Sequence, residues 1–410
     1  MVACRHAAKI VMSTNAAMRS RATEEAMQPG TYNYPRADNV HYGMPWLDAL
    51  KAECDRLGSK RAFVVSSATL LKKMPLAAEL KAHLGSRLAG VTSGIRAHSP
   101  SADVVRIAGE AREANADLLV GIGGSSITDA VKGMRIALAA NVSDPAALSA
   151  YRNVPGSPAE SLTLDVPAVA VPTTLSGAEF TALAGITNLE RGAKESYRHR
   201  DLAPTSVILD PAVTLDTPDE LWLSSGVRAV HHAIADICSV NPGPLSDAAS
   251  IHALKLLLPG LKRTRTEHDN LEARLDCMVG AWLSLVGVQG GVEKGIGHAI
   301  GHILGGSAGV PHGITSCLML PHELRWNAPN NAPRQKLASE AMGDAQADAA
   351  DICARFIEGL GLPHRLQDVG VEKADLNRLS ELTMKDRWTA TNPRPVEGPE
   401  DVREILEMAW

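Results

Sequence analysis

In the first half of the chain, continuous apolar runs alternate with helical periods. Within Lys60–Leu70 the run AFVV gives way to Ser66 and Ser67, which predicts a short buried strand and then a helix capped by one of the two serines. A second strand is expected around Ala89–Gly94, closed by Pro100. SADVVRIAGEAREANA has the spacing of an amphipathic helix, DLLVGIGGSS reads as a third strand running into glycines, and AVAVPTTLSG as another strand ending in a turn. Strand–helix–strand alternation predicts a parallel sheet. After about Pro211 the pattern changes. DELWLSSGVRAVHHAIADICSV, SDAASIHALKLLLPGLKRT, NLEARLDCMVGAWLSLVGVQ and PRQKLASEAMGDAQADAADICARFIEGLG are long helical patterns, and no convincing strand interrupts them. The expected fold class is α/β with a parallel sheet over residues 36–210, followed by an all-helical domain over residues 211–410.

Composition narrows the functional classes. A chain of 410 residues exceeds the size at which single cores stop growing, which agrees with two domains. The formal net charge of −5 and the 3% aromatic content offer neither a basic surface nor stacking platforms, so no nucleic-acid partner is expected. No apolar run has the length of a membrane span. The six cysteines are scattered without a CxxC pair, and reduced, buried thiols in a cytoplasmic enzyme are the plain reading. A homodimer is the expected assembly. Residues 1–35 read as an N-terminal extension. It is basic and free of acids up to Ala22, so it is either disordered, a leader ahead of a start at Met12, or a mitochondrial-type transit peptide.

Two stretches carry candidate chemistry. GIGGSSITDAVKG follows a strand and opens a helix. Gly121, Gly123 and Gly124 would let backbone N–H groups approach a ligand, Ser125 and Ser126 add hydroxyls, and the helix start favours a pyrophosphate. The spacing is neither GxGxxG nor a Walker loop. HAIGHILGGSAGVPHG places His298, His302 and His312 at intervals of four and ten residues. Histidines four apart share a helix face, as in a metal site or a proton-transfer pocket.

GGSSITDAVK resembles the GGGSxxDxAK signature of the iron-containing alcohol dehydrogenase superfamily. VPTTLSGAE resembles its second loop, GHAIGHILGGSAGVPHG its histidine segment, and TNPRPV a C-terminal match, all in family order. The resemblance implies NAD(P)H bound between an α/β and a helical domain. Gly123, Gly124, Ser125 and Ser126 would hold the pyrophosphate, with Thr173 and Thr174 along the cofactor and Ser66 near the adenosine end. Lys132 could also contribute, the alternative being an exposed helical lysine.

Metal-dependent members bind a divalent ion with one aspartate and three histidines. The histidines correspond here to His232, His298 and His312, with His302 beside the substrate, but the aspartate position is Arg228. Like charges ~4 Å apart repel by about 4 kcal/mol at an effective dielectric of 20, and twice that for a divalent ion. Arginine does not deprotonate to relieve this. Asp236, one turn beyond His232, is a possible substitute acid. The shorter loop PTTLSGAE and the segment LGGSAGVPHGITSCLMLPHELRWNAP look more like the maleylacetate reductase branch, although that branch more often has asparagine at position 228 and glycine at the place of Asp129.

The reading is an NAD(P)H-dependent reductase of a small carboxylate-bearing oxo or enoyl substrate, working without metal. His298 or His302 would donate the proton, and His232, His312 and Arg228 would stabilise developing charge. Arg228 also has the geometry to clasp a carboxylate, its structural alternative being a salt bridge. His231 is expected on another face in a structural role, and His322 in the core or behind the site. The alternatives are a metal-dependent alcohol dehydrogenase with an altered ligand set, and a redirected or non-catalytic nucleotide-binding member.

Overall fold

The computed structural model describes Tyr32, Tyr34, residues 37–73 and residues 75–410. Apart from Tyr32 and Tyr34, the N-terminal extension read over residues 1–35 lies outside the described residues, as does Cys4.

Four strands are buried at every position: β2 (Ala62–Ser66), β4 (Leu118–Gly123), β5 (Ala168–Pro172) and β8 (Ser206–Leu209). They are apolar without alternation because a parallel sheet is covered on both faces. With β1 (Asn39–Tyr42) and β3 (Leu88–Thr92) they form one sheet in the order β1-β8-β5-β4-β2-β3, and every pairing is parallel. Side chains alternate across it. Phe63, Val65 and Leu119 face one core with the helices Ser101–Glu113 and Ser125–Ala139. Val64, Val120 and Ile208 face another with the helices Trp46–Arg56 and Leu76–Leu84. Ser67 Oγ accepts the Leu70 N–H at 3.3 Å, so the second serine caps the helix Ala68–Lys73.

No strand follows β8 among the described residues. The helix Asp219–Ile237, here the arginine helix, runs through the core of the helical half against Pro244–Thr266 and the long helix His312–Ala341. Gly260 on Pro244–Thr266 permits the helix Leu271–Leu283 to come close, since a Cβ there would stand 2.7 Å from Cys277 Sγ. Cys54, Cys238, Cys277, Cys317 and Cys353 are free and buried. No described helix is long and apolar enough to cross a membrane.

Two features differ from the hydropathy reading. The PRQK…GLG stretch is not one helix. The long helix ends at Ala341, Gly343 turns with φ +94°, and Ala349–Gly359 starts anew. An antiparallel hairpin, β6 (Leu183–Asn188) and β7 (Ala193–Arg198), follows β5. Its inward face on β7 is Glu195 and Tyr197, where Glu195 accepts from Ser149 Oγ at 2.7 Å and Tyr197 Oη at 2.8 Å. A strand whose buried face is partly a carboxylate leaves no apolar alternation to read.

Candidate active site

The sheet ends in the glycine loop. Gly123 has φ +155°, and a Cβ there would meet Ile127 Cγ1 at 2.6 Å. Gly124 precedes the helix Ser125–Ala139, whose first N–H groups and positive dipole end face outward from the strand tips. This loop forms one wall of a cleft of about 700 Å³. Gly124, Ser125, Ser126 and Thr174 line it, and Lys194 reaches it from the hairpin. Arg228, His302 and His312 line it from the helical half.

Several expected cofactor residues stand behind that wall. Ser66 has no exposure, and its hydroxyl lies 3.4 Å from the Ser67 carbonyl, while Ser67 itself lines the cleft. Thr173 is buried, donates its N–H to the Gly123 carbonyl at 3.0 Å and accepts from Thr217 Oγ1 at 2.8 Å. Ser126 Oγ accepts the His98 N–H at 3.1 Å, and Ser99 Oγ donates to the Ser126 carbonyl at 2.7 Å. These bonds hold His98 and Ser99, at φ +63° and +50°, against the cleft. Lys132 is neither exposed nor on the cleft wall. It is fully buried and donates to the Ala178 and Leu183 carbonyls at 2.7 and 2.6 Å, tying the turn after β5 to the hairpin. Burial pushes its pKa down. Asp129 lines the cleft and accepts the Gly185 N–H at 3.1 Å.

The histidines divide into two groups. His298, on the helix Ile296–Ser307 (the histidine helix), has no exposure, and its Nε2 lies 3.1 Å from His232 Nδ1. Its ring also packs on His231, with centroids 3.9 Å apart. Burial first, then neighbouring histidines and cations, hold His232 and His298 well below the ordinary histidine pKa. Neither lines the cleft. His302 does. Its Nδ1 is 2.8 Å from Asp386 Oδ2, and its ring stacks on Trp388 at 4.8 Å. Burial raises the Asp386 carboxyl, but the hydrogen bond and charge of His302 outweigh it and leave the group below its usual range. His312 stands 5.9 Å from His302 between ring centroids. The Arg228 charge, then burial, pulls its pKa down to about 2.

Arg228 takes part in no ion pair among the described residues, which sets aside its reading as a structural salt bridge. Its one hydrogen-bond acceptor there is Ser316 Oγ, 3.4 Å from Nη1, and burial pushes its pKa down to about 10. Asp236 is not a substitute ligand. It is fully buried, ion-paired to Lys294, and pushed up to about 6 by burial. His231 faces inward on Glu323 and Ser316. His322 lines a separate pocket of about 330 Å³ with Arg325 and His364.

A divalent ion needs three or four convergent lone pairs. Among the described residues no three His, Cys, Asp or Glu side chains are grouped to supply them. His232 Nδ1 and His298 Nε2 face each other 3.1 Å apart, and the charge of Arg228 acts on both rings.

The sequence singles out Ser67 only as a helix cap, not as a cleft residue, and does not single out Asp386. Asp386 lies five residues before TNPRPV, whose Asn392 accepts the Ile296 N–H at 3.0 Å and so pins the start of the histidine helix. The proximity of that motif to the histidines is a tertiary fact with no local signal.

A parallel sheet ending in a glycine loop, opposite an imidazole-lined helical half, is the build of an oxidoreductase. Residues 37–211 match the family described as iron-containing alcohol dehydrogenase, and residues 222–410 its C-terminal part. The chain belongs to the iron-containing alcohol dehydrogenase family. It is 34% identical to "Dehydrogenase ALT3" of Alternaria alternata, over 82% of this chain and 95% of that one. It is 30% identical to "Maleylacetate reductase 1" of Cupriavidus pinatubonensis, over 88% and 91%. The crystal structure of maleylacetate reductase from Agrobacterium tumefaciens superimposes with a TM-score of 0.79 at 27% identity, covering 94% of this chain and 99% of that one.

Proposed function

We propose that the protein is an NAD(P)H-dependent, metal-independent reductase of small carboxylate-bearing oxo or enoyl substrates, similar to the maleylacetate reductases. The observation that carries this reading is Arg228. It is a cleft-lining guanidinium without an ion-pair partner among the described residues, beside His302 and His312. A neutral alcohol gives such a pocket no counter-charge, whereas a substrate carboxylate supplies it and matches the guanidinium fork.

Gly124, Ser125, Ser126 and Thr174 would hold the dinucleotide, the loop N–H groups and hydroxyls taking the pyrophosphate. When bound, the nicotinamide supplies the hydride. Of the two candidate proton donors, His302 fits better than His298, because it lines the cleft and His298 is fully buried. Asp386 accepts from His302 Nδ1 and so fixes the ring with Nε2 as the atom that gives the proton. His312 and Arg228 would stabilise the oxygen or carbon that becomes anionic.

The test is NADH- and NADPH-dependent reduction of maleylacetate, measured before and after exhaustive EDTA treatment. Turnover that survives chelation supports the reading. No turnover of the acid, or activity on simple alcohols that zinc or iron restores after chelation, overturns it.

A further inference from the structure

Arg228 does not stand alone on its inner side. Behind the Ser316 hydroxyl, His231 Nδ1 lies 3.1 Å from Ser316 Oγ, and His231 Nε2 lies 2.6 Å from Glu323 Oε1. Ser316, His231 and Glu323 are buried, and none lines the cleft. Glu323 is also fixed in place, since it fills the space beside Gly297 on the histidine helix, where any Cβ would collide with Oε2.

With a neutral imidazole at His231 and an ionised Glu323, the ends of this line set the direction of the bonds between them. A guanidinium only donates, and a carboxylate only accepts. Arg228 N–H therefore points at Ser316, Ser316 O–H at His231 Nδ1, and His231 Nε2–H at Glu323. All three hydrogens run one way, from cation to anion, so each bond polarises the next. We propose that Glu323, His231 and Ser316 are a positioning relay that aims Arg228 at the substrate carboxylate. This inference rests on the proposed reading of Arg228 as the anion-binding group.

A direct arginine–glutamate bridge would occupy the guanidinium edge that a carboxylate needs. The relay places the counter-charge two groups away and holds Arg228 by one hydroxyl. The remaining N–H groups have no acceptor among the described residues. At 3.4 Å the Ser316 contact is long for a hydrogen bond, which suits a group that must still turn to meet its ligand. The relay explains why a histidine that touches no substrate sits between the arginine helix and the long helix with both ring nitrogens engaged.

The probe is maleate, with its uncharged dimethyl ester as control, titrated calorimetrically into the NADH-loaded protein. Ser316→Ala and Glu323→Gln should each weaken maleate binding about fivefold, the loss of one modest hydrogen bond, and leave the ester unchanged. In an Arg228→Ala background, which should itself bind maleate poorly, neither change should have further effect. Equal weakening with and without Arg228, or equal weakening of the ester, would mean general damage to the pocket and overturn the relay. Wild-type affinity for maleate in Arg228→Ala would remove the anion reading of Arg228, and the relay with it. A weak Arg228→Ala variant beside unaffected Ser316→Ala and Glu323→Gln variants would leave that reading standing and reject the relay alone. Should the variants not fold, the wild-type protein still decides. Maleate should shift the nitrogen-resolved NMR signal of the His231 Nε2 hydrogen, and an unmoved signal at saturation would reject the coupling.

Discussion

At the residue scale, the cation of Arg228 sets the electrostatics of the histidines around it. An arginine at position 228 stands among the causes that depress His232, His298 and His312. The guanidinium beside these neutral imidazoles suits an anionic ligand. Replacing Arg228 by alanine should lower kcat/KM for maleylacetate by a factor of about thirty or more, since losing one member of a buried charge pair costs roughly 2–5 kcal/mol. An uncharged carbonyl compound should lose much less, and equal losses on both would mean that Arg228 does not read the carboxylate. His302→Ala should reduce kcat by about a hundredfold or more, while His298→Ala should act mainly on stability, because His298 is fully buried. Single-turnover rates and thermal melts of the two variants separate these effects. That Arg228, His302 and His312 share one cleft was legible through the family motifs that carry them. Asp386 was not, because 84 residues separate it from the His302 ring it holds.

At the scale of the element, the glycine loop and the turn after β5 form one unit. A Cβ on Gly124 would stand 3.1 Å from Thr174 Cγ2, so the loop and the next strand tip are already in contact. Gly124→Val should therefore force the two apart and intrude on the dinucleotide, weakening NADH binding by tenfold or more, about 1.4 kcal/mol. A folded variant with unchanged NADH affinity would place the cofactor elsewhere. The parallel pairing of the strands followed from their alternation with helices, and one helix start from its capping serines, with Ser67 as the cap. The hairpin did not, because Glu195 on its buried face is satisfied by partners distant in sequence, such as Ser149. Lys132 belongs to the same lesson. A lysine at a helical position reads as solvent-facing until the structure supplies carbonyls for it, here Ala178 and Leu183.

At the scale of the whole molecule, buried acids near the junction of the two halves couple stability to pH. Glu179 closes the turn after β5, is buried, and leaves Oε2 without a partner among the described residues. Burial, opposed by its own backbone N–H and by Lys132, raises its pKa from 4.5 to about 7. A carboxyl whose folded pKa lies above its unfolded value binds a proton more tightly in the native state. Its contribution is fully present below about pH 4.5 and falls as the pH rises toward 7. The difference of about 2.5 pH units corresponds to about 3 kcal/mol at 1.36 kcal/mol per unit. Asp236, raised to about 6, acts in the same direction. Between about pH 5 and pH 7 these two acids therefore contribute a loss of stability, because the unfolded chain has already ionised them and the folded one has not, while the buried neutral His232, His298 and His312 contribute a gain in the opposite direction. Glu179→Gln removes one titrating group while keeping its shape. Chemical denaturation at a series of pH values should show the variant gaining stability relative to the wild type as the pH rises across that window. Parallel curves would mean that Glu179 is ionised throughout and that a cation or water compensates it in solution.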